Sequence, residues 1–70
     1  MMQDDSLSAR AGKNLKRIIK EQGYTQEAFA DEFGTDRANL RKWLSHGINK
    51  LSTIEQIAEF FDISVWDILK

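Results

Sequence analysis

Apolar residues recur in this chain at intervals of three and four, in short blocks that are each closed before a long helix can form. Ala11, Leu15, Ile18 and Ile19 make the first block, and Phe29, Ala30 and Phe33 the second. Leu40, Trp43 and Leu44 make the third, Ile54, Ile57, Ala58 and Phe61 the fourth, and Val65, Ile68 and Leu69 the last. This spacing places each set on one face of a helix, and no segment alternates in strand fashion for long. Gly23, Gly34 and Gly47 punctuate the first three blocks, where glycine accepts the left-handed backbone that ends a helix. The fold class that follows is all-α: a compact bundle of five short helices.

Capping residues set the expected boundaries. Ser8 caps a first helix running to about Gln22, and Thr25 caps a second over about 26–33. Asp36 caps a third over about 37–45, and residues 46–51 form a loop. Ser52-Thr53-Ile54-Glu55 reads as a capping box opening a fourth helix to about Phe61. Ser64-Val65-Trp66-Asp67 repeats that pattern and opens a fifth helix to about Leu69. Residues 1–8 lack periodicity and are expected to be a disordered tail, leaving 9–70 as the domain. Trp43 is expected in the core. Trp66 is expected near the surface, because Val65, Ile68 and Leu69 occupy the inward face of the fifth helix.

With 70 residues the chain encloses one small core. It contains no cysteine, which excludes a disulfide framework, a thiolate metal cage and a thiol nucleophile. Asp4 and Asp5 stand where a signal peptide carries basic charge, and no apolar run is long enough to span a bilayer. A soluble, cytoplasmic protein is the expectation. Five helices leave no room for a ligand-sensing domain, so control is expected through concentration, proteolysis or a partner. His46 is the only histidine, and no carboxylates cluster around it in sequence. Neither an enzyme, a metal site nor a cofactor is expected.

The formal net charge of −1 conceals a sorted distribution. Residues 10–20 carry five bases and no acid, and residues 21–34 carry four acids and no base. Residues 35–50 carry four bases against Asp36 alone, and residues 51–70 carry four acids against Lys70. A polyanionic partner requires a basic face, not a basic total.

The stretch from Thr25 to Trp43 is the most informative. It reads as a short helix, a tight turn at Gly34 and a second helix, with the small Ala30 where the two must approach closely. Gly23-Tyr24-Thr25-Gln26, Phe29-Ala30, Phe33-Gly34, Leu40, Trp43 and Gly47, followed by Ile57-Ala58 and Phe61-Asp62-Ile63-Ser64, resemble the Cro and phage-repressor (Xre) type of helix-turn-helix protein. The resemblance covers about residues 13–69. It implies a lambda-repressor-like five-helix fold, with the helix-turn-helix in helices 2 and 3, and sequence-specific binding of duplex DNA to regulate transcription. The chain departs from the family pattern at Leu44, where glutamate is usual, and at Gly47, which falls one residue late. It also lacks the usual proline after Gly47 and has Asp62 where glycine is common.

The outward N-terminal face of the third helix carries Arg37, Ala38, Arg41 and Lys42. An arginine fork matches the two acceptors of guanine in the major groove. Ala38 and Lys42 match base-contact places of the family, although Lys42 can equally reach a phosphate. The resemblance gives Gln26 a phosphate contact and a buttressing role beneath the recognition helix, and a helix N-terminus suits that contact. Asn39, His46, Asn49 and Lys50 are further phosphate candidates. Trp66, with Phe60, is the candidate dimer interface. The expected partners are a two-fold symmetric DNA operator and a second copy of the chain. The alternative is a small helical protein-interaction module, or an antitoxin-like protein that binds a partner protein and uses the same fold. The acidic total and Trp66 favour that alternative.

Overall fold

The computed structural model describes residues 6–70; residues 1–5 of the expected tail lie outside the described residues. Five helices follow one another: α1 (Leu7–Glu21), α2 (Gln26–Phe33), α3 (Arg37–His46), α4 (Leu51–Phe61) and α5 (Val65–Leu69). There is no strand among the described residues.

Local chemistry explains most boundaries. Thr25 Oγ1 accepts a hydrogen bond from the Ala28 N–H (3.0 Å) and opens α2. Asp36 Oδ1 accepts from the Asn39 N–H (2.6 Å) and opens α3. At α5, Ser64 Oγ accepts from the Trp66 N–H, while the Asp67 carboxylate accepts from the Ser64 N–H (3.1 Å each). That is the reciprocal cap expected from the sequence.

Two caps differ from expectation. Ser6, not Ser8, caps α1 by accepting from the Ala9 N–H (3.2 Å). Ser8 is already helical, and its carbonyl oxygen accepts from the Ile48 N–H (3.0 Å), so the earlier start lets α1 dock the loop after α3. The Ser52–Glu55 capping box does not form. Helix α4 starts one residue before Ser52, its N-cap is Lys50, and no side chain caps it. The Lys50 carbonyl takes the first helical bonds from Thr53 and Ile54 (3.1 and 3.2 Å). The preceding Ile48 is buried and tied to Ser8, which shortens the loop to 47–50 and carries Ser52 past the capping position.

The core contains most of the inward residues the periodicity selects, together with the loop residue Ile48, whereas Phe33, Leu44, Phe61 and Val65, also expected inward, are only partly buried and pack against it. Trp43 differs from its expected place: it is half-buried, packed on the core rim edge-on to Phe33 (ring centroids 6.0 Å). Phe29 is fully buried, and Phe33, Phe60, Phe61 and Tyr24 gather around it with ring centroids 5.1 to 6.5 Å away. Such pairs contribute about 0.5–1.5 kcal/mol each beyond the area they bury. Asn14 Nδ2 donates to the Ile68 carbonyl (2.7 Å) and ties α1 to the last turn of α5. Asp62, in the place where glycine is common, adopts the left-handed conformation (φ 57°, ψ 47°) that ends α4.

Helix α1 crosses the end of α3 at backbone distance. A Cβ on Gly12 would collide with the Trp43 carbonyl oxygen and stand 3.2 Å from the Gly47 Cα. A Cβ on Gly47 would meet the Ser8 carbonyl oxygen at 2.5 Å, and Gly47 also has φ of 100°. In an isolated helix Gly→Ala stabilises by about 1 kcal/mol. Here Gly12→Ala is expected to destabilise the domain by about 1–3 kcal/mol, because neither backbone can yield without moving α3. Urea denaturation followed by circular dichroism measures the sign.

Candidate nucleic-acid interface

The site begins at the turn between α2 and α3. Gly34 ends α2 in the left-handed region (φ 96°, ψ 30°), and the Gly34 and Thr35 N–H groups both donate to the Ala30 carbonyl (3.0 and 2.9 Å). The chain then reverses over Thr35 and re-enters helix at Arg37. Ala30 and Leu40 are buried, so the two helices close on small and aliphatic side chains and leave their N-terminal ends exposed. Tyr24 supports this arrangement from below: its hydroxyl donates to Glu32 Oε1 (3.2 Å). Burial pushes the Tyr24 phenol above its ordinary pKa, and the hydrogen bond and charge of Glu32 add to the rise.

The candidate residues fall into two neighbourhoods. Gln26 at the start of α2 and Arg37 and Arg41 on α3 line one shallow hollow, together with Glu27 and Leu40. Asn39, Lys42, His46, Asn49 and Lys50 line a second, larger hollow along the other edge of α3, beside Trp43 and Thr53. Ala38 is exposed on the same helix. All nine side chains are exposed. Trp66 is also exposed (71%), on α5. Phe60 is half-buried within the aromatic cluster, with centroids 5.3 Å from Phe29 and 5.0 Å from Phe61.

Asn39 is partly committed: its Nδ2 donates to Thr35 Oγ1 (2.9 Å), which steadies the first turn of α3. The residue that sequence reading missed is Glu27. Its place in the first turn of α2 is explained by the helix dipole, but its carboxylate also pairs with Arg37 across the turn, Oε2 to Nη1 at 3.1 Å. Ten positions separate the two residues, so no local pattern could reveal the pair; only the crossing of α2 and α3 brings them together.

Arginine forks and a lysine along one helix, amides at its flanks and a helix N-terminus beside it are the chemistry that meets base edges and phosphates of duplex DNA. The helix-turn-helix family model matches residues 15–65. The chain belongs to that family, in its Cro and phage-repressor (Xre) type, and is a DNA-binding regulator. This is a family of DNA-binding regulatory domains and not of enzymes. Among curated proteins and among solved structures, nothing matches the chain. No helix among the described residues is long and apolar enough to cross a membrane.

The Glu27–Arg37 pair is exposed on both sides, 66% and 59%, so it adds less than about 1 kcal/mol to stability. Its effect is expected in binding. Glu27→Gln removes a negative charge from the hollow shared with Gln26, Arg37 and Arg41 and is expected to strengthen binding to duplexes of any sequence, while the melting temperature falls by no more than about 8 °C, since the substitution gives up the exposed pair and the helix-dipole contact. Fluorescence anisotropy against scrambled duplexes, beside a thermal melt, checks both parts.

Proposed function

We propose that the chain is a sequence-specific transcriptional repressor that reads the major groove of double-stranded DNA with the N-terminal half of α3. Arg37 and Arg41, one helical turn apart, grip guanine edges. Ala38 admits close approach and can meet a thymine methyl group. Lys42, which lines the second hollow, takes a base edge or the adjacent phosphate. Gln26 and the N-terminus of α2 hold one phosphate, and Asn39, His46, Asn49 and Lys50 hold phosphates along the other side. The observation that carries this reading is the convergence of Gln26, Arg37 and Arg41 on one exposed hollow at the open ends of α2 and α3. Occupying a promoter excludes polymerase without any further surface, and repression is therefore the regulatory outcome this reading favours.

Single DNA-binding modules hold nonspecific duplex weakly, with Kd roughly 10⁻⁴ to 10⁻⁶ M at physiological salt. Regulation at a defined site is better served by a two-fold dimer on a two-fold operator. Trp66 supplies the anchor, because an exposed tryptophan buries a large area at little entropic cost. Phe60 contributes only the part of its ring left uncovered by the aromatic cluster.

Selection from a random duplex library defines the site for two tests. Arg37→Ala or Arg41→Ala is expected to cost about 1–3 kcal/mol on the selected site and to relax preference at one base position. Gln26→Ala and Lys50→Ala are expected to weaken cognate and scrambled duplexes alike, and Lys50→Ala should lower the salt slope by about one unit. If folded arginine variants keep wild-type affinity and preference, α3 does not read the site. The second test is sedimentation on the selected duplex. Two protomers are expected per site with the wild type, and one with Trp66→Ala at the same concentration. A single wild-type protomer at saturation contradicts the dimer.

A further inference from the structure

The basic block of α1 takes no part in the face just described. Arg10, Lys13, Lys16, Arg17 and Lys20 are all exposed. At 3.6 residues per turn they fall within an arc of about 120° on the helix. The buried residues Ala11, Leu15, Ile18 and Ile19 occupy the opposite arc. No acid stands between positions 10 and 20, and among the described residues only Arg17 forms an ion pair, with Glu21 at 3.2 Å. The result is a stripe of cations about 15 Å long at 1.5 Å per residue, with no exposed apolar side chain inside it.

The stripe is separate from the reading face of α3. Helix α1 meets α3 through Gly12, whose wheel position lies outside the basic arc. On its other side α1 meets α5 through Asn14, also outside that arc. The cations therefore point outward between these two contacts. Like charges at i, i+3 and i, i+4 repel and weaken a helix by a few tenths of a kcal/mol per pair. A regular row of anions relieves that repulsion, and a phosphate backbone presents one. The absence of apolar side chains within the stripe fits phosphates better than a bilayer, which would take an amphipathic face with aromatic or aliphatic anchors.

We propose that the basic face of α1 is a second, sequence-independent binding surface for duplex DNA, so that one molecule bridges the segment read by α3 to another segment. This rests on the DNA-reading assignment of α3, and the test separates the two. A bead-bound duplex carrying the selected site is loaded with protein and then offered a fluorescent duplex of random sequence. Wild type is expected to capture the second duplex in a salt-sensitive manner. The variant Lys13→Gln/Lys16→Gln/Lys20→Gln keeps good helix formers at exposed positions. It is expected to retain the bead-bound duplex with wild-type affinity and to lose capture of the second by at least about tenfold, in keeping with the loss of three phosphate contacts. Amide shifts in α1 of the wild type, appearing only when the second duplex is added, give the same answer without a variant.

Four outcomes overturn the proposal: no capture by wild type, equal capture by the triple variant, α1 shifts already complete with one duplex, or a parallel loss of single-duplex binding in the triple variant. The last two place the stripe on the flank of the same site. Wild type that ignores the second duplex yet binds anionic lipid vesicles or an acidic peptide through α1 assigns the stripe to another partner. Loss of bead-bound DNA in Arg37→Ala, with that variant still binding the fluorescent random duplex in solution in a salt-sensitive manner, supports the stripe; bead-bound DNA unaffected by that substitution overturns the α3 reading and not this one.

Discussion

Everything on the exposed face of α3 depends on how closely α1 approaches the end of that helix. Gly12 lies against the Trp43 carbonyl and the Gly47 backbone, and Gly47 lies against the Ser8 carbonyl. The Ile48 N–H then closes the contact by donating to the same Ser8 carbonyl (3.0 Å). Side chains cannot adjust this distance because none stands between the two backbones. The position of α3 relative to the core is therefore set at its C-terminal end, and its N-terminal end, with Arg37 and Arg41, projects from a fixed base.

The other end of α3 is set by the aromatic cluster and the turn. Phe29 stacks between Phe33 and Phe61, with centroids 5.1 and 5.4 Å away and planes within 16° and 9° of parallel. This wedges α2 onto α4 and orients the turn at Gly34. Trp43 completes the wedge from α3 by packing edge-on to Phe33. A chain this small has few buried side chains, so each of these contacts carries a large share of a stability of roughly 5–15 kcal/mol. The same economy explains why charged residues are kept to the outside: no polar or charged side chain is buried among the described residues.

Much of this was legible in the sequence, and the reasons are local. Periodicity selects Leu15, Phe29, Leu40 and Ile57 as core because a helix face needs only its own spacing to be seen. Thr25, Asp36 and Ser64 cap as expected because the acceptor and its donor lie within three residues. What failed to show depends on contacts between distant segments. Ser6 and Ser8 are chemically equal as caps, and the choice is made by the docking of Ser8 on Ile48. Ser52 has the right partner in Glu55 but loses the capping position once Ile48 is buried. Gly12 gives no signal inside a helical pattern, since its purpose lies in Trp43 and Gly47. The outward bases of α3 were visible in the sequence and are exposed as expected, but the Glu27 carboxylate that pairs with Arg37 was not.

The proposed function requires α3 and the N-terminus of α2 to meet the DNA together. The most direct measurement is an amide chemical-shift titration of the isotopically labelled protein with one equivalent of the selected duplex. The expected perturbations centre on residues 26–27 and 36–42, with smaller shifts at 46–50 and the rest of the core unmoved. Perturbations confined to α5 around Trp66, with α3 silent, would contradict the account and favour a protein-binding role for this fold.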